Sequence, residues 1–153
     1  MRNELYHHGI LGMKWGIRRY QNKNGTLTEA GKKHYGKLHD YYLDKTKRYA
    51  RGSMGESDLN KQRAKEYSEM SDEQFRDKMG YMDYHIDDVR EFRLAEIAMA
   101  TEKVKSCAQA AKSYLAAHKE IMNTPLGVLK SRKEYQSVID RQIMNGILEE
   151  KAR

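Results

Sequence analysis

The chain has 153 residues, 33% of them charged and 39% hydrophobic, with a formal net charge of +7. This length fits one domain with a thin core, and the single proline and single cysteine exclude a proline-rich linker, a disulfide framework and a cysteine-rich zinc module. Because no apolar run approaches the ~20 residues that span a bilayer and the N-terminus lacks an apolar signal core, we expect no membrane span and a cytoplasmic protein.

The excess of positive charge lies in the first half of the chain. Residues 1–70 hold 15 Lys and Arg against 8 Asp and Glu, whereas residues 71–153 hold 14 of each. Such a basic half indicates a polyanion or an acidic protein surface as partner, or a merely solvated arm. We therefore predict a basic N-terminal arm over residues 1–52 and a helical body over residues 53–153.

The first segment, residues 5–20, combines glycines with large apolar side chains. Gly9, Gly12 and Gly16 disfavour a helix. So short a segment cannot bury Met13 and Trp15 against itself. We expect it to lie on the helical body or to dock into another protein.

The remainder of the arm is predicted from turn and capping signals. Asn24-Gly25 favours a tight turn or a small β-hairpin, and Thr28 is suited to cap a short helix that begins at Glu29. The glycine- and serine-rich stretch 51–57 predicts a loop between arm and body. A helix over about 58–69 follows it.

A capping box formed by Ser71 and Gln74, with Met70 and Phe75 placed as a hydrophobic staple, predicts a long helix over about 72–122. Its apolar residues recur at spacings of three and four, which indicates a core-facing stripe with coiled-coil character. The stripe comprises Phe75, Met79, Met82, Ile86 and Val89, and continues in a second register with Ile97, Val104, Ala108, Ala111 and Leu115. Because Arg93 falls on the stripe, we expect a phase shift or a bend near Phe92.

The last predicted helix covers about 132–150. Pro125 ends the preceding helix or starts a turn, a second capping box joins Ser131 to Glu134, and the apolar face comprises Tyr135, Val138, Ile139, Ile143 and Ile147. The fold class is thus all-α: a long-helix hairpin or small bundle with an irregular basic arm. The stripe at 75–89 can pair within the chain or with a second copy, which leaves a homo-oligomer open.

No arrangement of residues supports catalysis, a metal or a cofactor. The six histidines lack the i, i+4 spacing of a helical metal site, and they are His7, His8, His34, His39, His85 and His118. The acidic cluster Asp83, Asp87, Asp88 and Glu91 fits a solvated charged face. Cys107 lies in an alanine-rich stretch that is typical of an inert thiol. We predict that the protein is not an enzyme.

Nucleic acid is an alternative partner for the arm. Basic residues interleave there with Trp15 and Tyr20, which supply stacking surfaces. The candidate contacts are Lys14, Arg18, Arg19, Lys32, Lys33, Lys37, Lys47 and Arg48.

The segment from Tyr6 to Thr28 reads YHHGILGMKWGIRRYQNKNGTLT. It resembles a segment shared by a family of small phage and prophage proteins of Gram-positive bacteria, in which H-H-G-x-x-G-M-K-W-G-x-R-R is followed by Y-Q-N, an Asn/Asp-Gly turn and Leu-Thr. Members of that family are usually labelled structural or head–tail region proteins. The start of the helix at Met70-Ser71-Asp72-Glu73-Gln74-Phe75-Arg76 is similar to a second family element.

The resemblance implies a phage-encoded, non-enzymatic protein that docks on other phage proteins in virion structure or assembly, and so a location in the virion or the host cytoplasm. The partner-binding residues would be His7, His8, Gly9, Gly12, Met13, Lys14, Trp15, Gly16, Arg18, Arg19 and Tyr20, with Trp15 and Met13 as apolar anchors. An alternative is a phage inhibitor that blocks a host defence complex, since such inhibitors are also short and non-catalytic.

Overall fold

A computed structural model describes residues 19–80 and 83–152. Within these ranges the chain forms four α-helices and no β-strand: α1 Glu29–Glu69, α2 Asp72–Met79, α3 Ile86–Asn123 and α4 Arg132–Lys151. The all-α prediction is confirmed.

The architecture is an antiparallel pair of long helices with a third helix along part of its length. The hydroxyl of Ser57 on α1 donates to the Val104 carbonyl on α3 at 3.2 Å. Nearer the start of α1, Oγ1 of Thr46 lies 3.1 Å from Nδ1 of His118 on α3. These pairings place the start of α1 beside the end of α3. After a short loop, α4 runs back along the C-terminal half of α3, so that one end of the molecule is a three-helix bundle.

Two separate apolar clusters form the core. The larger lies in the three-helix end, where the ring of Tyr135 on α4 stacks on that of Tyr42 on α1 with centroids 4.8 Å apart. Its buried members are Tyr42, Ala117, Ile121, Tyr135, Val138 and Ile139. The smaller cluster joins α2 to α1 and α3 through Tyr67, Phe75 and Val89. Between the two, α1 and α3 pack as a pair.

The predicted helix starts are confirmed. The Thr28 hydroxyl accepts from the amide of Gly31, and reciprocal capping boxes join Ser71 to Gln74 and Ser131 to Glu134. Met70 packs against the cluster that contains Phe75, as the staple requires. These local bonds satisfy amides that have no partner within their own helix.

The predicted turn at Asn24-Gly25 is also present. Gly25 has φ +85°, in the left-handed region that favours glycine. The amide of Asn22 donates to the Thr26 carbonyl at 2.7 Å, and Gln21 and Leu27 form one isolated antiparallel bridge. The segment is thus a closed turn with a single bridge.

The predicted loop over residues 51–57 was wrong, and so was the separate helix over 58–69. Both belong to α1, which continues from Glu29 to Glu69 across position 52. Gly52 and Gly55 lie in the helix with open space around them. Ala50 and Ser57 are buried against α3 on the opposite side, and this packing outweighs the ~1 kcal/mol that each glycine costs a helix.

The single helix predicted over 72–122 is divided into α2 and α3. Gly80 has φ +74° and its amide bonds back to the Arg76 carbonyl, which ends α2. The expected bend near Phe92 is absent because α3 is continuous from Ile86 to Asn123. Arg93 keeps its place on the core stripe since its guanidinium donates to the carbonyls of Tyr67 and Met70.

The predicted apolar stripes are buried only in part. Phe75, Val89, Ala111 and the first three residues of the α4 stripe are buried. Ile86, Leu115 and Ile147 are 38%, 48% and 39% exposed. Met82 lies outside the described residues.

Candidate docking site at the base of the N-terminal segment

Two of the predicted partner-binding residues, Arg19 and Tyr20, fall within the described residues. The others lie outside them: His7, His8, Gly9, Gly12, Met13, Lys14, Trp15, Gly16 and Arg18. The described part of the segment is its base, residues 19–28, which lies on the start of α1.

The backbone at Arg19 and Tyr20 is held by the residue that caps α1. The amide of Thr28 donates to the Tyr20 carbonyl at 3.1 Å, and the Thr28 hydroxyl donates to the Arg19 carbonyl at 2.8 Å. The same hydroxyl accepts from the amide of Gly31 at 3.1 Å. One threonine thus caps the helix and fastens the segment to it.

The Tyr20 side chain packs on the first turns of α1. Its ring stacks on the imidazole of His34 with centroids 4.4 Å apart and an interplanar angle of 7°, and it meets Tyr35 edge to face at 5.9 Å. The Arg19 guanidinium lies 5.6 Å from the centroid of the Tyr20 ring. Aromatic pairs of this kind add a small stabilisation to the area that they bury.

Gly31 makes this close packing sterically feasible. A Cβ atom at position 31 would lie 2.1 Å from the Tyr20 carbonyl oxygen, which is backbone and cannot turn aside. Only glycine lets the segment approach α1 so closely. Sequence reasoning missed this role, although a glycine in the first turn of a helix was a usable signal.

The segment also contacts the loop between α3 and α4. A Cβ atom at Gly127 would lie 3.0 Å from Cδ2 of Leu27, so Leu27 packs directly on that glycine. Gly127 has φ +86° in a turn where the amide of Val128 donates to the Pro125 carbonyl. The base of the N-terminal segment is therefore attached to both α1 and the α3–α4 loop.

The candidate nucleic-acid residues on α1 are spread over its exposed side. Lys33, Lys37 and Lys47 are exposed. Lys32 pairs with Glu29 at 2.7 Å and Arg48 pairs with Asp44 at 3.3 Å. Since Asp40 and Asp44 fall at helical spacing between these lysines, the side is mixed in charge.

In the part of the chain that the structure describes, no group of three or more His, Cys, Asp or Glu side chains could hold a metal ion. Burial, reinforced by the carboxylate of Glu56, raises the pKa of the Cys107 thiol, and a thiol that resists ionisation is a poor nucleophile. Among the described helices, none combines the length and apolarity that a bilayer span needs.

Comparison with known proteins gives one match. A family model described as a family of unknown function, DUF7211, matches residues 1–22. No curated protein and no solved structure matches the chain. The matched residues contain the whole set of predicted partner-binding positions and end at the base of the segment.

Proposed function

We propose that this is a phage-encoded, non-enzymatic docking protein that binds other phage proteins, in virion structure or assembly, through residues 7–20. The observation that carries the proposal is the attachment of Tyr20 to α1 through Gly31. It holds Tyr20, the last of the proposed partner-binding residues, against the start of α1, and Leu27 lies on the α3–α4 loop.

A fixed base favours protein docking on energetic grounds. Binding loses free energy to the ordering of any flexible segment, and each residue already held by the body reduces that cost. The anchors themselves are the apolar residues Met13 and Trp15, with Arg18 and Arg19 at the rim. The family match to residues 1–22 supports the same segment as the distinctive part of the chain.

Nucleic-acid binding is the second candidate, favoured by the exposed lysines Lys33, Lys37 and Lys47. Two observations weigh against it. The Tyr20 ring is already engaged by His34 and Arg19, which leaves less of it for a stacked base. Asp40 and Asp44 interrupt the lysines and would repel a phosphate backbone.

The test is a pull-down from phage-infected lysate with the full chain, with and without nuclease. Trp15→Ala is expected to cost ~2 kcal/mol or more of binding, which is about 30-fold in affinity. Tyr41→Ala is the matched control, since Tyr41 is an aromatic residue that is 52% exposed on α1. It should leave recovery unchanged.

The outcomes separate the candidates. The proposal is supported if a virion protein is recovered despite nuclease, and if that recovery is lost with Trp15→Ala but kept with Tyr41→Ala. Recovery that depends on nucleic acid and falls when Lys32, Lys33 and Lys37 are replaced together overturns it in favour of nucleic-acid binding. A host defence component recovered through Trp15 would favour the inhibitor alternative.

A further inference from the structure

The end of α3 and the loop that follows it present exposed apolar side chains beside the base of the N-terminal segment. We call this surface the loop patch, and it comprises Met122, Pro125, Leu126 and Val128. Met122 and Val128 are each 57% exposed, and Leu126 is 41% exposed. Apolar residues that cluster at the surface in this way mark a place that another group covers.

The N-terminal segment already lies against this loop. Gly127, which falls within the loop patch, is buried, and Leu27 packs on it, with Cδ2 3.0 Å from the position of a Cβ atom there. Leu27 also forms the isolated antiparallel bridge with Gln21, close to where the segment leads back to Trp15. The loop patch is thus continuous with a contact that the base of the segment makes.

The chain that precedes Arg19 is long enough to reach the loop patch and apolar enough to cover it. Arg19 is held beside the start of α1, where the Thr28 hydroxyl donates to its carbonyl at 2.8 Å. Trp15 is four positions away, which corresponds to at most ~14 Å of extended chain. The large apolar residues of this stretch are Ile10, Leu11, Met13, Trp15 and Ile17.

The other surfaces around the base offer these side chains little apolar area. The exposed residues on the first turns of α1 are Glu29, Ala30, Lys32, Lys33, His34 and Lys37, and those at the start of α4 are Arg132, Lys133 and Glu134. A tethered segment also has an effective concentration of the order of millimolar at a neighbouring surface, far above that of a second copy in dilute solution. Position and tethering therefore both favour the segment of the same chain as the occupant of the loop patch.

Charge does not attract the segment to the loop patch. Lys130 and Arg132 follow the patch in the chain, and Lys14 and Arg18 lie on either side of Trp15. Since like charges oppose such a contact, the burial of apolar surface has to supply its free energy, and salt should not loosen it. A partner whose apolar pocket lacks these cations can compete for the same residues.

We propose that in the free protein residues 10–17 lie on the loop patch, with Trp15 against Leu126 and Val128, so that the segment covers its own docking residues. A partner would have to displace this contact, a consequence that rests on the proposed function. The contact itself needs no partner and is tested in the purified full chain.

The test measures the fluorescence of Trp15, the one tryptophan of the chain, and its quenching by acrylamide, which is uncharged. A peptide of residues 6–20 supplies the value for an exposed tryptophan. Quenching in the full chain should be at least twofold weaker than in the peptide and should not rise with added salt. Leu126→Ser with Val128→Ser should restore the value of the peptide.

Met144→Ser with Leu148→Ser is the matched control, since these residues are 54% and 59% exposed on α4, and it should leave the quenching unchanged. Circular dichroism melting shows which variants fold, and Val128→Ser alone serves if the double variant of the loop patch does not. The proposal is overturned if quenching in wild type equals that in the peptide, if salt exposes Trp15, or if the control raises quenching equally. Protection that is lost on dilution would overturn it in favour of a second copy.

The pull-down described above separates this proposal from the proposed function. Leu126→Ser with Val128→Ser should raise recovery of the partner, because the segment is then free to dock, and unchanged recovery would overturn the competition. Recovery that ignores Trp15→Ala would instead contradict the proposed function, whatever the quenching of Trp15 shows.

Discussion

Arg93 is a charged residue on the core-facing side of α3, where its guanidinium contacts the end of α1 and the start of α2. Its guanidinium donates to the Tyr67 carbonyl at 3.3 Å and to the Met70 carbonyl, and it pairs with the Asp72 carboxylate at 2.8 Å. These groups lie at the end of α1 and the start of α2. Arg93 therefore closes the corner between two helices from a third, with its side chain only 18% exposed.

We predict that Arg93→Ala lowers the free energy of unfolding by about 2 kcal/mol, because it leaves carbonyls and a carboxylate that are largely shielded from water without their charged donor. Arg90→Ala is the control, since Arg90 also pairs with Asp72, at 3.0 Å, but is 57% exposed. It should cost less than about 1 kcal/mol. Urea denaturation measures both, and equal losses would contradict the role given to Arg93.

A second residue-scale prediction concerns two glycines five positions apart on α1. Gly36 has open space where a Cβ would lie, so Gly36→Ala should stabilise the helix by up to ~1 kcal/mol and raise the melting temperature by about 2–4 °C. Gly31→Ala should lower the melting temperature, since the new Cβ would clash with the Tyr20 carbonyl. Thermal melts followed by circular dichroism compare the two. A rise for both would show that residues 19–28 do not lie on α1.

At the scale of elements, the sequence was sufficient wherever structure is decided locally. The helix starts at Thr28, Ser71 and Ser131 depend on bonds that span three residues, and a capping pattern contains all the partners. The path of α1 through Gly52 and Gly55 depends on burial against α3, some fifty residues away in the chain. Local propensity could not predict that contact.

The candidate site was predictable to the same extent. The glycines and large apolar residues of the N-terminal segment led to a docking prediction, and the structure adds where its base is attached. The contact of Leu27 with Gly127 joins residues 100 positions apart, so no local pattern contains it.

The start of α4 supplies an element-scale prediction of pH dependence. The amides of Lys130 and Ser131, each 2.7 Å from Oε2 of Glu134, and the Ser131 hydroxyl hold the pKa of Glu134 below its usual range. A lowered folded-state pKa stabilises the fold above the unfolded-state pKa, and this contribution is lost as the pH falls through the folded-state value.

We therefore expect wild type to exceed Glu134→Gln in unfolding free energy at pH 7, with the difference shrinking as the pH falls below about 4.3, the ordinary pKa of glutamate. Glutamine keeps the shape and an acceptor oxygen but removes the charge. Urea denaturation at several pH values between 7 and 3 measures the difference. A difference that stays constant across this range would contradict the assigned role of the carboxylate.

At the scale of the whole molecule, the two clusters stand at opposite ends of a helix pair about 60 Å long. The three-helix end buries six residues in its cluster, while the end that holds α2 buries three. Because the opening of each region depends on the apolar area buried locally, stability should differ along the molecule. The α2 end is the weaker one.

This difference in stability between the two ends predicts the pattern of amide hydrogen exchange. Residues of α2, the last turns of α1 and the first turns of α3 should exchange through openings of lower free energy than residues around Ile121 and Tyr135. Phe75→Ala removes a ring that is fully buried in the smaller cluster, at a cost of ~3 kcal/mol, and should speed exchange at that end alone. Ile139→Ala, in the larger cluster, should lower protection in α1, α3 and α4, since all three helices pack together at that end. Exchange measured by mass spectrometry on both variants decides the matter: equal acceleration along the whole of α1 and α3 in Phe75→Ala would mean that the two clusters unfold as one unit.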